Sequence, residues 1–258
     1  MNRQSFRKKY RRIRALSGRT VKELVRDPLS WIFALAFPLV MLALFTVIDS
    51  KIPPEAGMTQ FAPVSVGPGI LVFAQCFLTL FVSLLVSGDR DSALLTRLQV
   101  TPAAPAEFHL GYTLPAVLLG LVQGLLTMTV VWVLSLSDGE ALSFMGCLAA
   151  VFFTIPAMLF CIGLGMLLGT LLSPKAAPGI SSAILSAASF LGGCWMDVAL
   201  LGDGFETVCT LLPWYPAVRM GRAVLGAGVW HLQDLAVTVL WAVLVHLAAY
   251  AVRKKRFC

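Results

Sequence analysis

Residues able to do chemistry are few in this chain, and they fall into no reactive arrangement. The three histidines, His109, His231 and His246, are scattered. The six cysteines (Cys76, Cys147, Cys161, Cys194, Cys209 and Cys258) show neither C-x-x-C nor Cys/His ligand spacing. They read as small apolar packing residues, and no metal site is expected. Only Cys194 and Cys209 fall where an oxidising outer face would let them pair. There is no G-x-x-x-x-G-K-S/T to cradle a nucleotide triphosphate, no H-E-x-x-H and no G-x-S-x-G elbow. An ion-coupled carrier needs carboxylates or broken helices inside the membrane, and Asp197, at the outer end of an apolar run, is the one acidic candidate. What remains is uncharged polarity within apolar runs: Gln75, Thr79, Gln123, Thr127 and Thr129. Glutamine facing lipid is costly, so Gln75 and Gln123 are expected to face protein or a cavity. They would bond helix to helix or, with Thr79 and Thr127, line a substrate path.

The elements that must position these residues are apolar spans. Of 258 residues, 58% are hydrophobic and 13% charged, about half the charge of a soluble globular chain. Runs long enough to cross a hydrocarbon core recur: Leu29–Ile48 with Pro38 inside it, Gly67–Ser87, Tyr112–Leu136, Leu142–Leu172, Gly179–Met196 and Leu235–Val252. The fourth is charge-free and too long for a straight span, so Pro156 is expected to kink it. Asp49–Val66 reads as a loop rich in Pro and Gly, Gly88–Gly111 as a polar loop, and Ser137–Ala141 and Ser173–Pro178 as turns. No cleavable leader is expected, because the first apolar run begins only at Leu29 and no small-residue cleavage site follows it.

Charge orients the spans. Residues 1–28 are basic, with Phe6, Tyr10, Ile13, Val21 and Leu24 near one helical face, and read as a helix on the inner membrane surface. Residues 253–258 form a basic tail. Six spans put 17 of the 20 Lys and Arg on one side, leaving Lys51, Arg219 and Arg222 opposite. The positive-inside rule then places both termini in the cytoplasm. The same distribution explains the net charge of +7 without nucleic acid as a partner. The segment 197–234 is apolar in places but carries Glu206, Arg219 and Arg222, which a spanning helix would bury in lipid. A re-entrant helical hairpin entering from outside, turning at Pro213, Trp214 and Pro216, satisfies both facts. The expected fold is an all-α polytopic membrane protein: interfacial helix 1–28, a six-span permease domain 29–252 and the tail.

Three stretches resemble the type-2 ATP-binding-cassette (ABC) exporter permease family. They are Lys22-Glu23…Arg26-Asp27-Pro28 leading to Phe37-Pro38-Leu39; Asp89-Arg90-Asp91…Leu94-Leu95-Thr96-Arg97-Leu98 with Thr101-Pro102 and Glu107; and Leu212-Pro213-Trp214-Tyr215-Pro216…Arg219. The second is the most specific. It has Asp at 89 and 91 where the family commonly has Glu, and Tyr112 where a Lys is common.

The resemblance implies two permease subunits, the same or paralogous, with two cytosolic ATPase subunits that hold the ATP and Mg. This chain would carry no cofactor and no catalytic residue. It also implies that the loop after span two, within 88–111, is the coupling segment docking into the ATPase. Leu94, Leu95 and Leu98 form an apolar patch suited to a groove on such a partner. Asp89, Arg90, Asp91 and Arg97 would add oriented ion pairs. Spans this apolar suit an amphipathic or lipid-like cargo, such as a drug, peptide antibiotic or glycolipid, moved outward across the cytoplasmic membrane. The alternatives are a non-transport scaffold or assembly factor, disfavoured by the resemblance, and a membrane enzyme, disfavoured by the absence of catalytic groups.

Overall fold

The computed structural model describes residues 3–53, 60–92, 104–137, 142–195 and 198–257, which form helices and turns with no strand among them. The chain opens with α1 (Arg3–Arg26), whose first turn carries no acid. A short turn, Pro28–Trp31, and a π-helical stretch, Ile32–Ala36, lead into α2 (Phe37–Asp49). The widened turn has a local cause. Pro38 has no N–H for the carbonyl of Ala34, and its ring crowds that carbonyl, so the first span loosens there. Phe33 and Phe37 are thereby set against Phe77, with ring centroids 5.5 and 5.6 Å away.

α3 (Pro63–Asp91) is the buried central helix, crossed by α4 (Pro105–Ser137) and by α6 (Ile155–Leu171). The long fourth run is broken as its proline predicts: α5 (Phe144–Phe153) ends at Thr154 and α6 begins with Pro156 in its first turn. The approach of α6 to α3 depends on Gly165 and Gly169. A Cβ at these positions would stand 2.7 Å from the Thr79 carbonyl oxygen and 2.8 Å from that of Ser83. Neither backbone can yield, so Gly165→Val is expected to separate the helices at a cost of about 1–3 kcal/mol or more. The check is a lower unfolding temperature of the detergent-purified protein.

Among the described residues, five helices or helix pairs are long and apolar enough to span: Ile32–Asp49, Pro63–Asp91, Pro105–Leu136, Phe144–Leu171 and Leu232–Lys255. The fifth expected span, Gly179–Met196, overlaps α7 (Ala177–Leu191), which at 15 residues rises only about 22 Å. It nonetheless runs antiparallel beside α3. Ser181 meets Ser83 at 2.8 Å near one end. At the other, Cys194 packs so closely on Gly69 that a Cβ there would collide with the Cys194 carbonyl. Gly193, in the turn after α7, takes φ +61, which favours glycine.

The 3₁₀ turn Val198–Leu201, α8 (Asp203–Thr210) and α9 (Trp214–Val224) form a helical hairpin before α10 (Leu232–Phe257). α9 is buried against α3, α5 and α10, with Pro68 against Gly221. Cys194 and Cys209 are both buried free thiols, so the pairing considered from sequence is not made.

Candidate functional site

The sequence motif that could couple the bundle to a partner leaves the membrane domain at the end of α3 and returns at the start of α4. Asp89, Arg90 and Asp91 lie on the last turn of α3 rather than in a loop, and Glu107 lies in the first turn of α4. Leu94, Leu95, Arg97, Leu98, Thr101 and Pro102 fall outside the described residues. The site is therefore built from the two stems on either side of residues 93–103.

Helix α1 clasps both stems. It packs along α4, where Leu16 fits against Gly111 so closely that any Cβ there would collide with it. Seven residues along a helix is close to two turns, so Arg12 and Arg19 present the same face. Arg19 donates to both carboxylate oxygens of Asp89, at 2.9 and 2.6 Å, and also to Glu23. Arg12 reaches Glu107 at 3.4 Å. The α3 stem is thus held by one arginine and the α4 stem by the other.

Asp89 is 5% exposed and accepts a third bond, 2.7 Å long, from the Tyr112 hydroxyl. Hydrogen bonding to Asp89 holds the Arg19 guanidinium above its ordinary pKa, so Arg19 stays charged at any working pH. Asp89 and Arg90 are therefore engaged within the chain, not turned outward as docking charges. Asp91 is exposed.

Two further arginines close the C-terminal end of α6. Arg90 donates to the carbonyl oxygens of Thr170 and Leu172. Arg253 lies 3.4 Å from the Thr170 hydroxyl and 5.5 Å from the centroid of the Tyr112 ring. The last carbonyls of a helix lack intrahelical donors and carry partial negative charge, so two cations stabilise this end. Arg253 is only 1% exposed, on α10, which continues to Phe257; it does not belong to a solvated tail. Through these contacts α1, α3, α4, α6 and α10 meet in one polar cluster at the two stems.

The ABC-2 type transporter family model matches residues 11–225, from α1 through the end of α9. The chain belongs to the ABC-2 type transporter family. No curated protein matches it. It is therefore a multi-pass membrane permease component of an ABC transporter, and not the ATPase.

Within this permease Gln75, Thr79, Gln123 and Thr127 are buried inside the subunit, whereas Thr129 is exposed and bonds back to the Leu125 carbonyl of its own helix. Gln75 donates to Thr154 Oγ1 at 3.1 Å, at the break between α5 and α6. Gln123 donates to the Ala74 carbonyl at 3.0 Å, and Thr79 to that of Cys161, also at 3.0 Å. Thr127 bonds back to its own helix, at the carbonyl of Gln123. Gln75, Gln123 and Thr79 thus bond helix to helix, one of the two roles open from sequence. The Oε1 atoms of Gln75 and Gln123 have no protein partner.

Two histidines that looked scattered meet between α4 and α10. A carbonyl only accepts, so His246 Nε2–H donates to Leu159 O at 3.0 Å. His246 Nδ1 then accepts from His109 Nε2–H at 2.8 Å. Among the described residues no cluster of three metal-ligating side chains forms.

The hairpin holding Pro213, Trp214 and Pro216 is anchored by the two arginines whose burial in lipid the sequence argued against. Arg219 Nε donates to Asp234 at 2.8 Å in a bidentate pair. Arg222 donates to the carbonyls of Ser65 and Gly193, both at 2.9 Å. The Tyr215 hydroxyl ties α9 to α8 through Glu206, and the Trp241 indole donates to Leu211 O at the turn. These residues knit the hairpin to α3 and α10.

Sequence reasoning missed Arg12, Arg19 and Arg253 as site residues. Tyr112 carried a weak signal, as an aromatic hydroxyl where a lysine is common.

Proposed function

We propose that the chain is the exporting permease of a cytoplasmic-membrane ABC transporter. Two copies, or this chain and a paralogue, would work with two cytosolic ATPase subunits that bind ATP and Mg. The observation that supports this reading best is the double clasp by α1. A cytosolic partner that docks on residues 93–103 would push on the bundle through stems that Arg19 and Arg12 tie to α1. The net basic charge of that end supports its cytoplasmic side. An amphipathic or lipid-like cargo, drug, peptide antibiotic or glycolipid, fits spans this apolar.

The test is reconstitution in nanodiscs with the cognate ATPase subunit. Amphipathic compounds are expected to stimulate ATP turnover. A permease that never associates with an ATPase would favour the scaffold reading instead.

The second copy has a surface suited to it. On α7 the exposed residues Gly179, Ser182, Ala183, Ser186 and Ala187 recur at helical spacing. In lipid, small residues let helices approach closely, and a two-fold dimer joins like surfaces. Ala183→Cys is expected to cross-link two copies in native membranes under mild oxidation. A chain that remains monomeric in an active complex would count against the paired arrangement.

A further inference from the structure

Where α3, α4 and the break between α5 and α6 meet, the buried side chains lie in layers. In one, Gly124 of α4 packs on Leu71 and Val151; in another, Gly120 packs on Leu78 and Met158. On α3, Gln75 lies four residues past Leu71 and three before Leu78, and so points to the same side. Thr154 stands likewise between Val151 and Met158, and Gln123 between the two glycines. These three polar residues form a layer of their own, and none is more than 1% exposed. Each amide gives its N–H to protein: Gln123 to the carbonyl of Ala74, the neighbour of Gln75, and Gln75 to Thr154 Oγ1. A carbonyl only accepts, and the Thr154 hydroxyl proton goes to the Val151 carbonyl at 3.0 Å. Both amides are therefore fixed with the nitrogen on the bond and the oxygen off it. Gln75 Oε1 and Gln123 Oε1 are buried and, among the described residues, neither meets a donor.

We infer that one buried water molecule bridges these two oxygens, donating a hydrogen to each, and so links α3 to α4 beside the break in the fourth span. Amide oxygens left without donors in a protein interior are costly, and buried waters sit where such groups converge. Two acceptors call for two donors, which a water carries. An anion would face two oxygens of its own sign. A cation would find no carboxylate: the acids of α3 and α4 are Asp89, Asp91 and Glu107, all at the stems, and α5 and α6 have none. A charge left uncompensated inside a membrane is expensive. Through Gln75 the bridge extends to Thr154, so one water joins α3, α4 and the joint between α5 and α6.

The experiment is cryo-electron microscopy of the full-length permease in nanodiscs, at a resolution that shows ordered water, in sodium chloride and again with choline replacing all sodium. One density peak is expected at hydrogen-bond distance, about 2.7–3.2 Å, from both Oε1 atoms in either salt. The unfolding temperature is expected to be the same in the two salts. The peak is expected to vanish in Gln123→Leu, and Gln75→Leu provides a second variant should the first fold poorly. It is expected to remain in Thr127→Val, because Thr127 bonds only within its own helix. A peak or an unfolding temperature that depends on sodium would make this a cation site and overturn the proposal. So would a native map with no peak there, or one in which either oxygen meets a protein donor. The measurement needs neither ATPase nor cargo, so its failure is separate from failure of the transport reading.

Discussion

Arg19→Ala is expected to destabilise the permease and to uncouple it from ATP hydrolysis, and the two losses are separable. Removing Arg19 leaves the Asp89 carboxylate, 5% exposed, with the Tyr112 hydroxyl as its only donor from another helix among the described residues. Breaking a buried ion pair from one side costs about 3–5 kcal/mol. The Arg19 side chain is 34% exposed, so solvent reaches the pair and a cost of roughly 1–3 kcal/mol is the better expectation.

Arg19→Met together with Asp89→Leu removes both charges and keeps the volume, and such replacements are often neutral for stability. The double variant is therefore expected to unfold near the native temperature in detergent. It is still expected to lose cargo-stimulated ATP turnover, because nothing then ties the end of α3 to α1 by a directed bond. Native coupling in a stably folded double variant would show that the clasp is a packing device only. The Arg19 charge is held above its ordinary pKa. Its contribution to stability is fully present below the unfolded value and is lost only as pH rises through the raised one, so Arg19 should add no pH dependence in the neutral range.

How far the sequence reaches can be read from these same residues. Spans, the interfacial helix, the break near Pro156 and the hairpin at Pro213–Pro216 are local properties. Apolar length, helical periodicity and a missing N–H each act within a few residues. Arg19 and Asp89 are 70 positions apart, and no local signal links them. Arg253 shows the limit most sharply. In sequence it opens a basic cluster and reads as solvated, yet its position on α10 brings it over the Tyr112 ring and onto the end of α6. His109 and His246 are 137 positions apart and looked unrelated for the same reason. The glutamines were legible as needing protein partners, but the partners themselves were not. Thr154 accepts from Gln75 because the helix breaks there, and that residue became visible only once α5 and α6 were placed. Asp89 and Arg90 were singled out on their charge order, and the structure gives that order an internal use.

The largest loss of function is expected from Leu94→Ala combined with Leu98→Ala, in the segment between the two clasped stems. Asp89 and Arg90 are engaged within the chain, so charge on the α3 stem contributes little to docking except through Asp91. Apolar burial must then supply most of the affinity. A leucine buried in a partner's groove contributes roughly 1.5–3 kcal/mol, and an exposed ion pair about 0–1 kcal/mol. Two leucines together thus represent about 3–6 kcal/mol, or two to four decades in affinity. The double variant is expected to insert normally, to lose co-purification of the ATPase subunit and to show no cargo-stimulated turnover in nanodiscs. Arg97→Ala alone should cost at most about tenfold, unless its guanidinium meets a buried carboxylate on the partner, where loss leaves an unpaired charge. Undiminished association in the leucine variant would move the docking surface elsewhere. The exposed basic face of α1 would then be the first place to look, since it flanks the same stems, followed by the turn at Lys175, which lies at the same end of the bundle.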